Sequence, residues 1–354
     1  MENKTSTYAE PEIKLQANNI DEEGNVLFLD EERLKSKEYP FKKYETEGDG
    51  IGVKKFLYTK VVHLRGKTWW VGKALYRYLF GRLKRSRGNE KKMKSFQKLV
   101  KLYPPMEKNT GTVTIPLNVD ISDKGQKVTV PTELLKEALK KTTFIAGMNQ
   151  CLCRQSNDCK DFPADLGCLF IGESSRSVVK YGLAREFTYE EAIERIEKAA
   201  SLGLHAQTVW IEFEQPIWGI PNSEMDQFLE ICFCCPCCCA AMRLARETDE
   251  SVHVRFHPSG WTAVPDRTKC VGCGLCVKGE NGCPTGAIRI GEDKKVIIDQ
   301  NKCLGCGICV NKCKINAIKI KQTMPMRNDI LDYYNDEFNL NLDVYKKDEE
   351  AKNE

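Results

Sequence analysis

Histidine is scarce in this chain: four in 354 residues, His63, His205, His253 and His257. No Ser-His-Asp grouping, phosphate-binding P-loop or dinucleotide fingerprint accompanies them, so nothing points to a triad hydrolase or to a bound nucleotide or flavin. Long apolar runs are missing too, since none approaches the roughly 20 residues that a membrane helix needs. The opening "MENKTSTYAEPEIKLQ" is polar where a secretory leader would be basic, then apolar, then small. These absences lead to the expectation of a soluble, cytoplasmic protein. Charge of one sign is lacking as well: the formal net charge is +4, too small for the total alone to imply a nucleic-acid partner.

What the chain has in excess is cysteine, 18 residues. With no export leader a disulfide framework is not expected, and neighbouring thiols cannot pair with one another without severe strain. Thiolates acting as metal ligands in a reducing cytoplasm, that of an anaerobe, are the expected use.

The length predicts two or three domains, and the strand and helix signals along the chain predict an α+β fold, a mixed N-terminal and central region followed by a smaller C-terminal domain. Residues 1–53 are polar and acidic, an arm or irregular lead-in. Residues 54–110 form a basic aromatic helical segment in which Glu90 is the only acid between Lys54 and Lys101. Within it Trp69, Trp70, Leu75, Tyr78, Leu79 and Leu83 interleave with Lys73, Arg77, Arg82, Lys84 and Arg85. Either a basic face meets an acidic partner or a membrane surface, or an aromatic stripe packs inward beneath a solvated face.

Residues 111–250 read as a cysteine-rich α+β domain. "TVTIPLNVDI" and "QKVTVP" flank the turn "SDKG" as a hairpin, and "PTELLKEALKK" starts a helix with Thr132 as its cap. Thr188 and Glu191 form a capping box for a helix that Gly203 ends. "PNSEMDQFLE" predicts one more helix, broken at Pro236. Residues 251–322 make the C-terminal domain and residues 323–354 an acidic tail, docked or loose.

Residues 262–321 contain an internal repeat. "CVGCGLCVKGENGCPTGAIRI" begins at Cys270 and "CLGCGICVNKCKINAIKI" at Cys303, each giving C-x2-C-x2-C, a later cysteine, then Ala-Ile-basic-Ile. Two-residue gaps let one tight loop wrap three corners of an iron–sulfur cubane, with Gly272, Gly274, Gly305 and Gly307 permitting close approach and positive φ. The segment resembles the bacterial-type ferredoxin domain that holds two [4Fe-4S] clusters. That resemblance implies that Cys270, Cys273 and Cys276 hold one cluster with Cys313, and that Cys303, Cys306 and Cys309 hold the other with Cys283. It also implies that Ile288, Ile290, Ile318 and Ile320 lie on short strands. The chain departs from the family in an enlarged loop, "VKGENG", and in Lys314 where the family has proline. A cation there would favour the reduced, more negative cluster if it pointed inward.

Ten cysteines remain. Cys151, Cys153, Cys159 and Cys168 lie in "CLCRQSNDCKDFPADLGC", and Cys232, Cys234, Cys235, Cys237, Cys238 and Cys239 in "CFCCPCCC". All ten are candidate metal ligands, for a third or unusual iron–sulfur cluster, for zinc, or for a site shared between the two groups; otherwise some are buried thiols. The paired thiols loosely resemble those of anaerobic disulfide reductases with non-cubane clusters. The wider segment is similar to ferredoxin-domain proteins of strict anaerobes. Arg154 donates to a cluster or anion, or else pairs with Asp158 or Asp161. His205 is placed to face the upstream cysteines, whereas His253 and His257 read as surface or hydrogen-bonded residues.

The expected function is iron–sulfur electron transfer, with at least one cluster beyond the two of the repeat and a redox partner protein that is acidic where it docks. The alternatives are a reductase whose upstream site acts on a small substrate, and an iron–sulfur sensor or assembly factor. No nucleic-acid partner and no transmembrane segment are expected.

Overall fold

The computed structural model describes residues 63–100, 110–117, 131–211, 214–220, 222–247, 256–277, 282–323, 330–338 and 340–342. The 1–53 arm, the hairpin's second strand, most of the "VKGENG" loop and His253 lie outside them. The chain is α+β, as its sequence predicts. Two helices come first, α1 (Trp69–Ser86) and α2 (Glu90–Val100). The central region runs β1 (Thr110–Pro116), α3 (Pro131–Lys141), β2 (Ile145–Met148), α4 (Leu152–Ser156), β3 (Leu169–Ile171), α5 (Arg176–Lys180) and β4 (Ala184–Glu186). It continues through α6 (Tyr189–Ser201), β5 (His205–Ile211), α7 (Glu214–Trp218), β6 (Leu229–Cys234), α8 (Ala240–Glu247) and β7 (Phe256–Pro258). A smaller unit follows: β8 (Trp261–Pro265), β9 (Ile288–Ile290), β10 (Val296–Ile298), α9 (Ile308–Lys312) and β11 (Ile318–Gln322). Last comes α10 (Ile330–Phe338).

Seven strands form one sheet in the order β4-β2-β3-β6-β5-β1-β7. Neighbours run antiparallel except β1 and β7. In the central pair His205 stands opposite Cys234, Gln207 opposite Cys232 and Val209 opposite Glu230. Because side chains alternate along a strand, these residues share one face of the sheet, while Ala206, Thr208, Trp210, Ile231 and Phe233 share the other. The second face is apolar and packs with Leu135, Ala138, Ile196 and Ala199 from α3 and α6. The first face is polar and rich in thiols, yet His205, Gln207, Cys234 and Glu230 are buried on it.

Local signals explain most of the elements. Thr188 Oγ1 accepts from the Glu191 N–H at 3.2 Å and the Glu191 carboxylate accepts from the Thr188 N–H at 3.0 Å, so α6 starts as its capping box predicts. Gly203 follows its end with φ 71°. Part of the acidic tail docks: Tyr334 on α10 is buried, shares a hydrogen bond with the Thr208 hydroxyl at 3.1 Å and donates to the Thr208 carbonyl at 3.0 Å. In α1, Gly72, Tyr76 and Leu83 are buried while Trp70 and Tyr78 are exposed, so its aromatic residues divide between core and solvent.

Two local expectations are corrected. Thr132 does not cap α3, because Pro131 already occupies the first helical position, where its missing N–H costs nothing. "PNSEMDQFLE" is a short 3-10 turn, Asn222–Gln227, that leads into β6. The cysteine run therefore opens as a buried strand, and Pro236 sits in the turn after it rather than in a helix.

In the smaller unit β9 pairs with β10 and β8 with β11, both antiparallel. Ile288, Val296, Ile298, Ile318 and Ile320 share its core with Trp261 and Ala263. Ile290, on β9, packs at the edge of that core. No helix among the described residues is long and apolar enough to cross a membrane.

Candidate metal centres

The smaller unit carries its cysteines on two matching loops. Gly272 and Gly274 in the first, and Gly305 and Gly307 in the second, all have positive φ, between 68° and 74°. Each loop is held to a strand by an amide aimed at sulfur: the Val296 N–H donates to Cys270 Sγ and the Ala263 N–H to Cys303 Sγ, both at 3.4 Å. The Ala317 N–H donates to Cys313 Sγ at 3.2 Å. Such amides stabilise thiolate over thiol.

Cys313 lies among the cysteines of the first loop, and Cys283 among those of the second. Burial raises the Cys276 thiol pKa, and Cys270, Cys273 and Cys313 raise it further as neighbours. Cys303, pushed up to about 11 by burial, has Cys283 beside it, and Cys306 and Cys309 also have Cys283 as a neighbour. A cavity lined by Cys270, Cys273, Cys276 and Cys313, with Val296 and Ile318, lies under the first loop. Four convergent sulfurs around an apolar hollow fit a [4Fe-4S] cluster. Lys314 is exposed and does not turn inward.

The ten upstream cysteines converge from two directions and sort into two groups. Six form a row along the polar face of the sheet. Cys168 donates to Cys232 Sγ at 3.4 Å, Cys239 donates to Cys234 Sγ at 2.9 Å, and Cys232 donates to Glu230 Oε1 at 2.8 Å. Cys151 and Cys153 hydrogen-bond each other, and Cys168 and Cys239 lie near Cys153. The other four are Cys159, Cys235, Cys237 and Cys238, whose sulfurs all lie within 4.8 Å of one another. The row meets the smaller unit directly: Cys232, Cys234, Cys239 and Met242 share a packed cluster with Leu304, Cys306 and Ile308.

Arg154 stands between the two groups. Its Nη1 donates to the Phe233 carbonyl at 2.8 Å and its Nη2 to the Leu166 carbonyl, and among the described residues its Nε has no hydrogen-bond partner. Asp158 pairs instead with Lys160, so the expected ion pair to Asp158 is absent. Burial alone would lower the Arg154 pKa, but the sulfurs of Cys151, Cys235, Cys168 and Cys234 outweigh it and raise it. Two thiols gain from this neighbourhood. Cys235 falls to about 2, chiefly through hydrogen bonds from Cys237 and Cys238, with Arg154 contributing. Cys151 falls to about 7, chiefly through a hydrogen bond from Cys153, with Arg154 again contributing.

His205 faces the cysteines as expected. Burial lowers its pKa to about 4, and among the described residues neither ring nitrogen has a partner. His257 is buried rather than on the surface. Sequence reasoning missed Glu230, Glu214 and Gln207. Glu230 lies two positions before Cys232, so strand alternation would have found it, had the segment been read as a strand. Burial, and then Glu230 beside it, raise the carboxyl pKa of Glu214 well above the ordinary range.

Residues 269–317 match the family model of the 4Fe-4S dicluster domain. No curated protein and no solved structure matches the chain. The smaller unit is therefore a ferredoxin-like iron–sulfur domain, its cofactors are [4Fe-4S] clusters, and its chemistry is iron–sulfur electron transfer.

Proposed function

We propose that the chain is an iron–sulfur electron-transfer protein with a cluster beyond the two of its dicluster domain. In this reading Cys270, Cys273, Cys276 and Cys313 hold one [4Fe-4S] cluster and Cys303, Cys306, Cys309 and Cys283 the other. The row of Cys151, Cys153, Cys168, Cys232, Cys234 and Cys239 holds the further one. The clusters supply one-electron chemistry; the chain supplies ligands, buries them and sets one site against the next.

The observation that carries this reading is the packing of Leu304, Cys306 and Ile308 against Cys232, Cys234 and Cys239. A cysteine of the dicluster domain thus packs in the same cluster as three cysteines of the row, which keeps the path for an electron between them short. The exposed Trp70 and Tyr78 on basic α1 offer a docking face for an acidic redox partner. The division at about residue 251, the bacterial-type character of the repeat, and a cytoplasmic, anaerobic setting belong to the same proposal.

Acid-labile sulfide on anaerobically purified protein tests it. About eight per chain, the content of two cubanes, would sink the further cluster, and about twelve supports it. Cys234→Ser should then remove iron and sulfide from the row alone.

A second reading is favoured by the buried, unpartnered His205 and the Glu230–Glu214 pair beside the row: a reductase whose row cluster meets a small substrate. Its mark is a change in the visible or EPR spectrum when a small ligand such as cyanide is added. A pure carrier leaves the spectrum unchanged.

A further inference from the structure

The quartet of Cys159, Cys235, Cys237 and Cys238 differs in kind from every other thiol group in the chain. Cys159 comes from the turn that follows α4, and the other three from the turn that ends β6, arranged Cys-Pro-Cys-Cys. The four sulfurs lie within 4.8 Å of one another, and Cys159 Sγ stands 3.7 Å from Cys237 Sγ. A single tetrahedral ion with metal–sulfur bonds near 2.3 Å requires sulfurs about 3.8 Å apart. A cubane puts each thiolate on a different iron at a different corner, so its ligand sulfurs stand further apart.

The dicluster domain supplies the comparison within the same chain. Among the described residues, neither of its thiol quartets gathers as tightly as the upstream quartet does. The six-thiol row does not either: its one group of three within the same limit, among the described residues, is Cys168 and Cys232 with Glu230.

The closeness is built by groups other than the thiols. The Tyr76 hydroxyl, from α1, donates to the Cys238 carbonyl at 2.6 Å, and Arg246 Nη2, from α8, donates to the Pro236 carbonyl at 2.8 Å. The Cys238 N–H donates to Cys235 Sγ at 3.3 Å. Two helices thus clamp the turn so that three sulfurs from four consecutive positions converge, at the spacing of one tetrahedral ion rather than of a sulfide-bridged core. Cys235 and Cys238 pack within the main apolar core, whereas Cys232, Cys234 and Cys239 pack with the dicluster domain.

We propose that Cys159, Cys235, Cys237 and Cys238 bind one tetrahedral thiophilic ion, zinc or iron without bridging sulfide, which staples the α4 turn to the end of β6. The ion's four thiolate ligands leave no open coordination position, the pattern of a structural rather than a catalytic site.

The test measures zinc, iron and acid-labile sulfide on the full chain purified without oxygen, as wild type and as Cys159→Ala and Cys237→Ala. Each variant should lose one metal ion per chain and no sulfide. A loss of about four irons together with sulfide, as from a cubane, overturns the proposal, and so does no loss of metal. Should the variants fail to fold, the wild-type ratio decides. Cubane iron and sulfide are equimolar, so the quartet must appear as one metal ion per chain in excess of sulfide. Equality overturns it. This excess does not depend on how many clusters the chain holds, so the row cluster can fail its own sulfide count while the single-ion site stands.

Discussion

The glycines of the cluster loops allow a prediction whose size follows from geometry. Gly305 has φ 68°, and a Cβ built on it would lie 1.9 Å from the Trp261 carbonyl oxygen. Gly272 is its counterpart in the first loop, with φ 69° and the Lys294 carbonyl oxygen at 2.1 Å. Gly286 has φ 68° as well, but nothing lies within 4 Å of its Cβ position. Gly286→Ala therefore isolates the backbone cost of an L-residue in the left-handed region, roughly 1–2 kcal/mol. Gly305→Ala adds a collision with backbone that cannot yield easily, because Trp261 is buried and its strand is paired with β11 from Trp261 to Pro265. Overpacking of this kind costs about 1–3 kcal/mol more, for a total of about 2–5 kcal/mol. The assay is anaerobic denaturant unfolding followed by the visible absorbance of the clusters, with iron counted per chain. Gly305→Ala should unfold at clearly lower denaturant than Gly286→Ala and lose cluster iron. Equal midpoints for the two variants would refute the close approach of loop and strand.

Tyr334→Phe should cost about 1 kcal/mol by removing its hydroxyl's bonds to Thr208, read as a lower unfolding midpoint, and an unchanged midpoint would mean that α10 is not docked. His205 gives a pH dependence. Its folded pKa of about 4 lies below its unfolded value, so as pH falls the unfolded chain takes up the proton first. The stability at stake is fully present above about pH 6.5 and lost progressively toward about pH 4, on the order of 3 kcal/mol in all. His205→Gln should flatten that part of the profile, and parallel profiles for variant and wild type would contradict its burial as neutral imidazole. Arg154→Met should cost about 2–5 kcal/mol, since it strands two buried carbonyls, those of Phe233 and Leu166. Arg154→Lys should not restore stability in unfolding measurements, because an ammonium cannot reproduce the planar fork; full rescue would show that charge alone suffices.

The repeat was legible because its chemistry is local. Three cysteines in seven positions with interleaved glycines describe one loop, and the Ala-Ile-basic-Ile that follows describes its strand. The α6 capping box was legible for the same reason: both partners lie within one turn. The division of the ten upstream thiols was not legible, because it depends on which residues a strand faces. In "ICFCCPCCC", Cys232 and Cys234 point to the polar face of the sheet only because the strand persists to Cys234 and is buried on both sides. Buried strands lack the polar-outward alternation that reveals an exposed one. His205 and Gln207 on β5 show the same effect, being polar residues that the register places opposite Cys234 and Cys232. Cys159, 76 positions before Cys235 in the sequence, joins its quartet only through the tertiary fold.

The position of Arg154 connects the two thiol groups energetically. Thiolates bound to metal carry net negative charge, and burying two such groups near each other would cost several kcal/mol without a counter-charge. A guanidinium meets that need better than an ammonium, since it stays charged when buried and fixes its direction through planar hydrogen bonds. Arg154 spends two of its donors on the carbonyls of Phe233, between Cys232 and Cys234, and of Leu166, two residues before Cys168. Those bonds hold the cation where it acts on Cys151, Cys168 and Cys234 of the row and on Cys235 of the quartet. The same bonds fix the backbone that presents the row's sulfurs, so electrostatics and geometry at this site rest on a single side chain. Because those bonds are to backbone carbonyls and not to sulfur, Arg154 stays in place when one group loses its metal, and the remaining centre keeps its counter-charge.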